Sequence, residues 1–312
     1  MKVTLDLTDL VARGQLTKDE ADRLAKLGSA DTGALGSNIL LSFGTVAVAL
    51  GGGFLFPTAQ SVIVMGVILF VLGLALILNK AAKWALFAQF CVTLGALGIV
   101  GGVSYLSDGN TLVGAGAVFG LAVAAAVAQS GLLAALAILQ FALVLGAGTA
   151  YWHASYFFGA DRPAVTIIAL AIVTLALFFV SLRLPSAYER VCIIGARTAI
   201  LLINIVFLLG SLFGDSTFAD RGLTISAGTF TIVWALLLVG VGIWAIYANR
   251  RWVVNAAAVF GAIHFYTQWF EYLGPNPLAI LGGGILLVVF GLLLRWINGR
   301  IYKPAAPAAA AA

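Results

Sequence analysis

Ten continuous apolar stretches, each long enough to cross a bilayer, fill nearly everything after residue 35. A chain with that much unbroken apolar surface cannot cover itself with polar groups in water. In hydrocarbon the requirement disappears, but every backbone N–H and C=O must still be paired internally, which leaves only helices and closed barrels. Barrel strands alternate polar and apolar residues. Stretches such as AQSVIVMGVILFVLGLALIL, at 59–78, do not alternate. The expected fold class is therefore all-α, a polytopic membrane bundle. Charged residues make up only 9% of the chain, against about 25% in soluble domains, so an ordinary soluble enzyme is excluded.

A hydrocarbon core of about 30 Å needs roughly 20 helical residues. That length places ten expected spans at 36–56, 59–78, 84–105, 112–129, 131–152, 164–182, 190–213, 223–247, 252–272 and 277–298. The fourth and fifth are joined only by Gln129, Ser130 and Gly131, and merging them would leave nine. The basic residues favour ten. With the N-terminus in the cytoplasm, 14 of the 17 Lys and Arg fall in cytoplasmic segments. Only Arg162 and Arg221 lie outside, and Arg197 lies within the seventh span. This is the positive-inside bias, and it predicts that both termini are cytoplasmic. Merging two spans would carry Arg250, Arg251 and the C-terminal basic cluster outside. Trp84, Trp152, Trp244, Trp252 and Trp296 fall at or near span ends, where interfacial anchors belong.

The net charge of +5 then reflects orientation and contact with anionic head groups. The basic residues are dispersed over loops and form no stripe for nucleic acid. Residues 1–35 lack the apolar region of a cleavable signal. Cys91 and Cys192 fall in cytoplasmic halves of their spans and predict neither a structural disulfide nor a metal site. No zinc, nucleophile-elbow or P-loop motif is present, so no cofactor is implied.

Residues 4–28 read as a miniature helical hairpin. Leu7, Leu10 and Val11 form one apolar face, Gly14 suits a helix stop, and Thr17 with Glu20 forms a capping box for the second arm. Ala21, Leu24 and Leu27 then give that arm its apolar face. Two arms this short have no core of their own, so the hairpin is expected to pack on the membrane surface, on loops, or on a second copy or partner protein. The alternative is a partly ordered tail. The stretch Leu10-Val11-x-x-Gly14-x-Leu16-Thr17-x-x-Glu20-Ala21-x-x-Leu24, followed by a linker and a Gly-rich first span, resembles a bacterial family of integral membrane proteins known only as a domain of unknown function. The specific likeness covers about 25 residues. It extends in character to a late span with Asn255, Tyr266 and Phe270. The resemblance implies a bacterial inner-membrane location and carries no activity. Three segments follow: a hairpin and linker at 1–35, a transmembrane domain at 36–298, and a disordered Pro/Ala tail at 299–312.

Ten spans also divide into two sets of five, an odd number that would make the halves inverted repeats. Ala117-Val118-Phe119-Gly120 and Ala258-Val259-Phe260-Gly261 occupy matching positions under that scheme. The ten-span, both-ends-inside layout is also that of the drug/metabolite transporter superfamily, a likeness of architecture without shared motifs. Gly98-x-x-x-Gly102 and Gly116-x-x-x-Gly120 allow close helix approach, here read chiefly as packing within the chain.

Polar residues at membrane depth are costly and point to function. Arg197 has three readings: snorkelling to the interface, pairing with carbonyls or with Asn255, or binding a substrate. On the ninth span His264, Gln268 and Glu271 share one helical face, and Asn204 on the seventh matches His264 in depth. The stripe reads either as a substrate or proton pathway or as a packed His beside a wet interfacial Glu. The leading function is a secondary transporter or permease of a small solute. The alternative is a non-transporting scaffold or sensor that uses the hairpin to bind a partner.

Overall fold

The computed structural model describes residues 7–79, 84–152, 155–218, 223–248 and 250–301. Helices dominate, as the apolar runs require. A short α1, Leu7–Ala12, ends before Gly14, whose φ of +67° turns the chain. Thr17 then opens α2, Lys18–Leu55, with the expected capping box. Its side chain accepts from the Glu20 N–H, and the Glu20 carboxylate accepts from the Thr17 N–H at 2.9 Å. The second hairpin arm and the first apolar stretch are thus one helix, with no break between them. The helices α3, Ala59–Leu78, α4, Ala85–Leu106, α5, Thr111–Val127, and α6, Gly131–Val144, follow in order. After a hairpin of β1, Ala147–Trp152, and β2, Ser155–Ala160, come α7, Pro163–Ser181, and α8, Ser186–Phe213. A second hairpin, β3, Asp215–Phe218, and β4, Leu223–Ile225, leads to α9, Ala227–Tyr247, α10, Arg251–Leu273, and α11, Pro277–Ile301.

Among the described residues, six helices are long and apolar enough to cross a membrane: α3, α4, α7, α8, α9 and the Pro277–Trp296 part of α11. Their outward faces are apolar, with Ile68, Ile172, Leu236 and Val288 each about 60% exposed or more. Such a surface fits contact with lipid. Three further apolar helices are shorter: Ile39–Leu55 within α2, α5 and α6. The helix α10 is 23 residues long but less apolar than those six.

One expectation is corrected. The fifth span, 131–152, is not a single helix. The chain leaves α6 at Val144, and Gly146, at φ +90°, takes a conformation that L side chains avoid. Residues 147–152 then pair antiparallel with 155–160, and the Asp161 N–H donates to the Gly146 carbonyl at 3.0 Å. Hydropathy did not separate the two segments because both are built from small and apolar residues. Of the expected tail at 299–312, residues 299–301 are the last of α11, and those from 302 onward lie outside the described residues.

By contacts the chain forms two compact units, residues 1–141 with 179–195, and residues 142–178 with 196–312. The first is held by a glycine seam between α3 and α4. A Cβ on Gly66 would lie 2.8 Å from the Gly95 carbonyl oxygen, and one on Gly73 would lie 2.7 Å from the Ala88 carbonyl oxygen. A Cβ on Gly102 would reach Ala59 and Ile63, and one on Gly98 would touch Gly66. The two backbones therefore meet directly. Gly116 and Gly120 face open space instead, so the in-chain reading holds for the first small-residue pair and not for the second. Around the seam, Val92 and Ala96 pack with Leu121, Ala124 and Ala125 of α5, with Ala128 just beyond it, and with Leu133, Ala134 and Ala137 of α6. Their three- and four-residue spacings put each set on one helical face. The second unit is centred on Phe207, Phe230 and Trp234, with Ile203, Leu238 and Phe260 packed around them.

Candidate functional site

The second unit buries a polar group at its centre. Trp234 of α9 is only 1% exposed. Its indole N–H is donor-only, and in a membrane-embedded core it must find an acceptor. That acceptor is Asn204 Oδ1 on α8, at 3.0 Å. The bond fixes the amide orientation, and Asn204 Nδ2 donates back to the Ile200 carbonyl at 2.8 Å, one turn earlier on its own helix. Phe207 stacks parallel to the indole with centroids 6.3 Å apart, and Phe230 meets Phe207 edge-on. Gly210 lets the Phe230 ring lie against α8, since a Cβ there would sit 2.6 Å from the ring.

His264 of α10 meets Trp234 edge-on, with centroids 4.8 Å apart and planes at 74°. Its Nδ1 is buried and has no hydrogen-bond partner among the described residues. One turn further along α10, the buried Gln268 Nε2 also has none. The two atoms belong to one helical face, as the i, i+4 spacing predicts. An unpaired buried polar group costs about 1–3 kcal/mol. Two of them adjoining a fully bonded Asn–Trp pair mark a place where hydrogen-bonding capacity is held in reserve. Thr166 Oγ1 on α7 is buried without a partner as well.

The six candidates from the sequence fall into two groups. Asn204 and His264 are brought together through Trp234, with Gln268 beside them. Arg197 is exposed and lies elsewhere: its guanidinium carbon stands 5.0 Å from the Trp252 ring at the start of α10. Seven residues, or about 10 Å of helix, separate it from Asn204. Asn255 is exposed near that same end of α10, and Glu271 is exposed near the other. Arg197 thus makes a cation–π contact near a helix end, the geometry of a long cationic side chain reaching toward an interface. Among the described residues no three His, Cys, Asp or Glu side chains converge to hold a metal.

Sequence reasoning missed Trp234 and Asp215. The signal for Trp234 was its place in the middle of a span, away from the interfacial positions of the other Trp residues. Asp215, only 6% exposed, opens β3. Its Oδ2 accepts from the Ala164 N–H in the first turn of α7 at 2.9 Å, and its Oδ1 accepts from the Thr217 N–H at 2.8 Å. Burial alone would push its pKa up, but the Thr217 and Ala164 hydrogen bonds outweigh it and hold the carboxyl below its ordinary value. A carboxylate at a helix N-terminus also meets the positive end of the helix dipole. Asp215 therefore caps α7 from 51 residues away. The chain matches no protein-family model, no curated protein and no solved structure.

Proposed function

We propose that the protein is a permease, a secondary transporter of a small hydrogen-bonding solute, that crosses a bacterial inner membrane ten times with both termini in the cytoplasm. The observation that carries the transport reading is the pair of unpartnered buried atoms, His264 Nδ1 and Gln268 Nε2, beside the Asn204–Trp234 bond. A purely structural core would satisfy or omit such groups. The described cluster holds no carboxylate and no guanidinium, which favours a neutral solute. Asn204, Trp234, His264 and Gln268 supply donors and acceptors that such a solute can exchange for its hydration shell. His264 also offers a group suited to proton relay. Arg197, which meets Trp252 at the start of α10, and Asn255 and Glu271, near the two ends of α10, would serve as approaches to the pathway.

The ten crossings rest on the charge bias and on four helices beyond the six that are long and apolar enough to span. Those are Ile39–Leu55 of α2, α5, α6 and α10. A five-plus-five arrangement rests on the matching Ala-Val-Phe-Gly runs at 117–120 and 258–261. The bacterial location rests on the N-terminal resemblance.

The test is a shrink–swell assay on proteoliposomes challenged with glycerol or urea, read by light scattering. Wild-type vesicles should equilibrate faster than protein-free vesicles, and His264→Leu and Gln268→Leu should remove the difference. Equal rates in all four preparations would refute a neutral-solute pathway. A second reading, a scaffold or sensor, is supported by the unbroken α2, which joins the capping box to an apolar helix. It requires folded, inserted protein with no permeability of its own and a partner lost when residues 1–16 are removed.

A further inference from the structure

The first unit contains a groove that the transport reading does not use. One wall is a single face of α2: Ile39, Ser42, Phe43 and Val46, at i, i+3, i+4 and i+7. The opposite wall is a single face of α4, from Leu86 through Phe90 and Leu94 to Leu97, and the turn between α5 and α6 closes one side with Ser130 and Leu132. The cavity holds about 520 Å³, within the range of small-molecule sites. We propose that this groove is a binding site for one acyl chain of a bilayer phospholipid.

Three observations select that occupant. First, the wall presents carbon. Gln89 Nε2 donates to the Ala128 carbonyl at 3.0 Å, Thr93 Oγ1 donates to the Gln89 carbonyl at 2.8 Å, and Ser130 Oγ accepts from the Leu133 N–H. These polar groups are already engaged, so a polar ligand gains little and water has few partners. Second, the depth matches one leaflet. The groove begins within a turn of Trp84, at the N-terminal end of α4, and runs 11 residues from Leu86 to Leu97. That is about 16 Å along the axis, against roughly 15 Å for half a 30 Å hydrocarbon core. Third, the volume is too small for a helix. A helix about 10–12 Å across and 16 Å long occupies roughly 1,300 Å³ or more. A neighbouring helix can cover the groove but cannot enter it, whereas a hydrocarbon chain can. The rim residues Phe43, 71% exposed, and Leu97, 47% exposed, leave the groove open toward the lipid-facing surface. A chain that already lies in lipid gains from such a site only through fit. Binding is therefore expected to be saturable yet exchangeable.

The probe is phosphatidylglycerol carrying a mid-chain diazirine, mixed in rising fraction into vesicles that hold the full-length protein. After photolysis, cross-links are mapped by peptide. Labelling at 39–46 and 86–97 should saturate, while labelling at the exposed Leu236 and Val239 of α9 should rise in proportion to probe. Thr93→Phe should remove the saturable component and leave α9 unchanged. Groove labelling that rises in proportion, as on α9, overturns the proposal. So does copy-to-copy disulfide formation through Phe43→Cys, which would show that a second chain covers the groove. The saturation measurement uses wild-type protein, so it stands even if Thr93→Phe fails to fold.

Discussion

Replacing Gly95 by Ala should damage the first unit far more than the same change two turns along α4. A Cβ on Gly95 would lie 2.5 Å from the Phe70 nitrogen and 2.6 Å from the Gly66 carbonyl oxygen. Both are backbone atoms, so no side chain can rotate away. Ordinary Cβ contacts begin near 3.4 Å, and the two helices must part by about 1 Å to restore one. Overpacking of this kind costs about 1–3 kcal/mol, and a gap of about 0.5–1 Å forfeits a quarter to a half of each surrounding contact. Gly101, on the same helix, has nothing within 4 Å of its Cβ position. Both substitutions gain the same helix propensity, about 0.5–1 kcal/mol, so their difference isolates the seam. That difference should be about 2–4 kcal/mol. The assay is denaturation by SDS titration from mild detergent, followed by thiol labelling of Cys91, which is fully buried one turn before Gly95. Cys192 is replaced by Ser in every variant to remove its signal. If Gly95→Ala and Gly101→Ala unfold at the same SDS fraction, direct backbone packing does not hold α3 to α4.

Other consequences are equally open to measurement. Asn204→Leu strands the Trp234 indole N–H, and a double-mutant cycle with Trp234→Phe, read by thermal melts, should return a coupling of about 0.6–1.7 kcal/mol, the range seen for hydrogen bonds between membrane helices. Because the pKa of Asp215 is depressed in the fold, its stabilisation is complete above the unfolded value near 3.9 and is lost as pH falls through the lower folded value. Asp215→Asn should lower the Tm at pH 7 and flatten the acid limb of Tm against pH, and an unchanged acid limb would remove Asp215 as the cap of α7. Reporter fusions after Arg250 should read cytoplasm, and those at Asp108 and Asp215 should read the exterior. A cytoplasmic signal at Asp215 would overturn the ten-crossing topology.

The helical class was legible because burial in lipid leaves so few solutions for an apolar chain, and the hairpin was legible because Thr17 and Glu20 act locally. The break after Val144 was hidden. It depends on a positive φ at Gly146 and on pairing with residues 155–160, neither of which changes hydropathy. Asn204, His264 and Gln268 could be matched in depth from helix geometry alone. Trp234, which joins the first two, could not, because its partner lies 30 residues away on another helix. Arg197 shows the converse limit. Depth along α8 is readable, but the direction of a long side chain is not, and this one lies over the Trp252 ring at the start of α10. The groove between α2 and α4 was written as two i, i+3, i+4, i+7 faces that pattern alone could not distinguish from core.

The unbroken α2 has a mechanical consequence. Its 38 residues span about 57 Å, nearly twice the hydrocarbon thickness. If the apolar 39–55 segment lies in the bilayer, the remaining 20 or so residues project about 30 Å beyond it. A stiff rod held at one end is a lever. A change of about 10° in inclination, well within the range found for membrane helices, would swing the capping box by about 5 Å. Bilayer thickness and lateral pressure set that inclination, so the far end of the rod would travel whenever the membrane around its base is stretched or thinned.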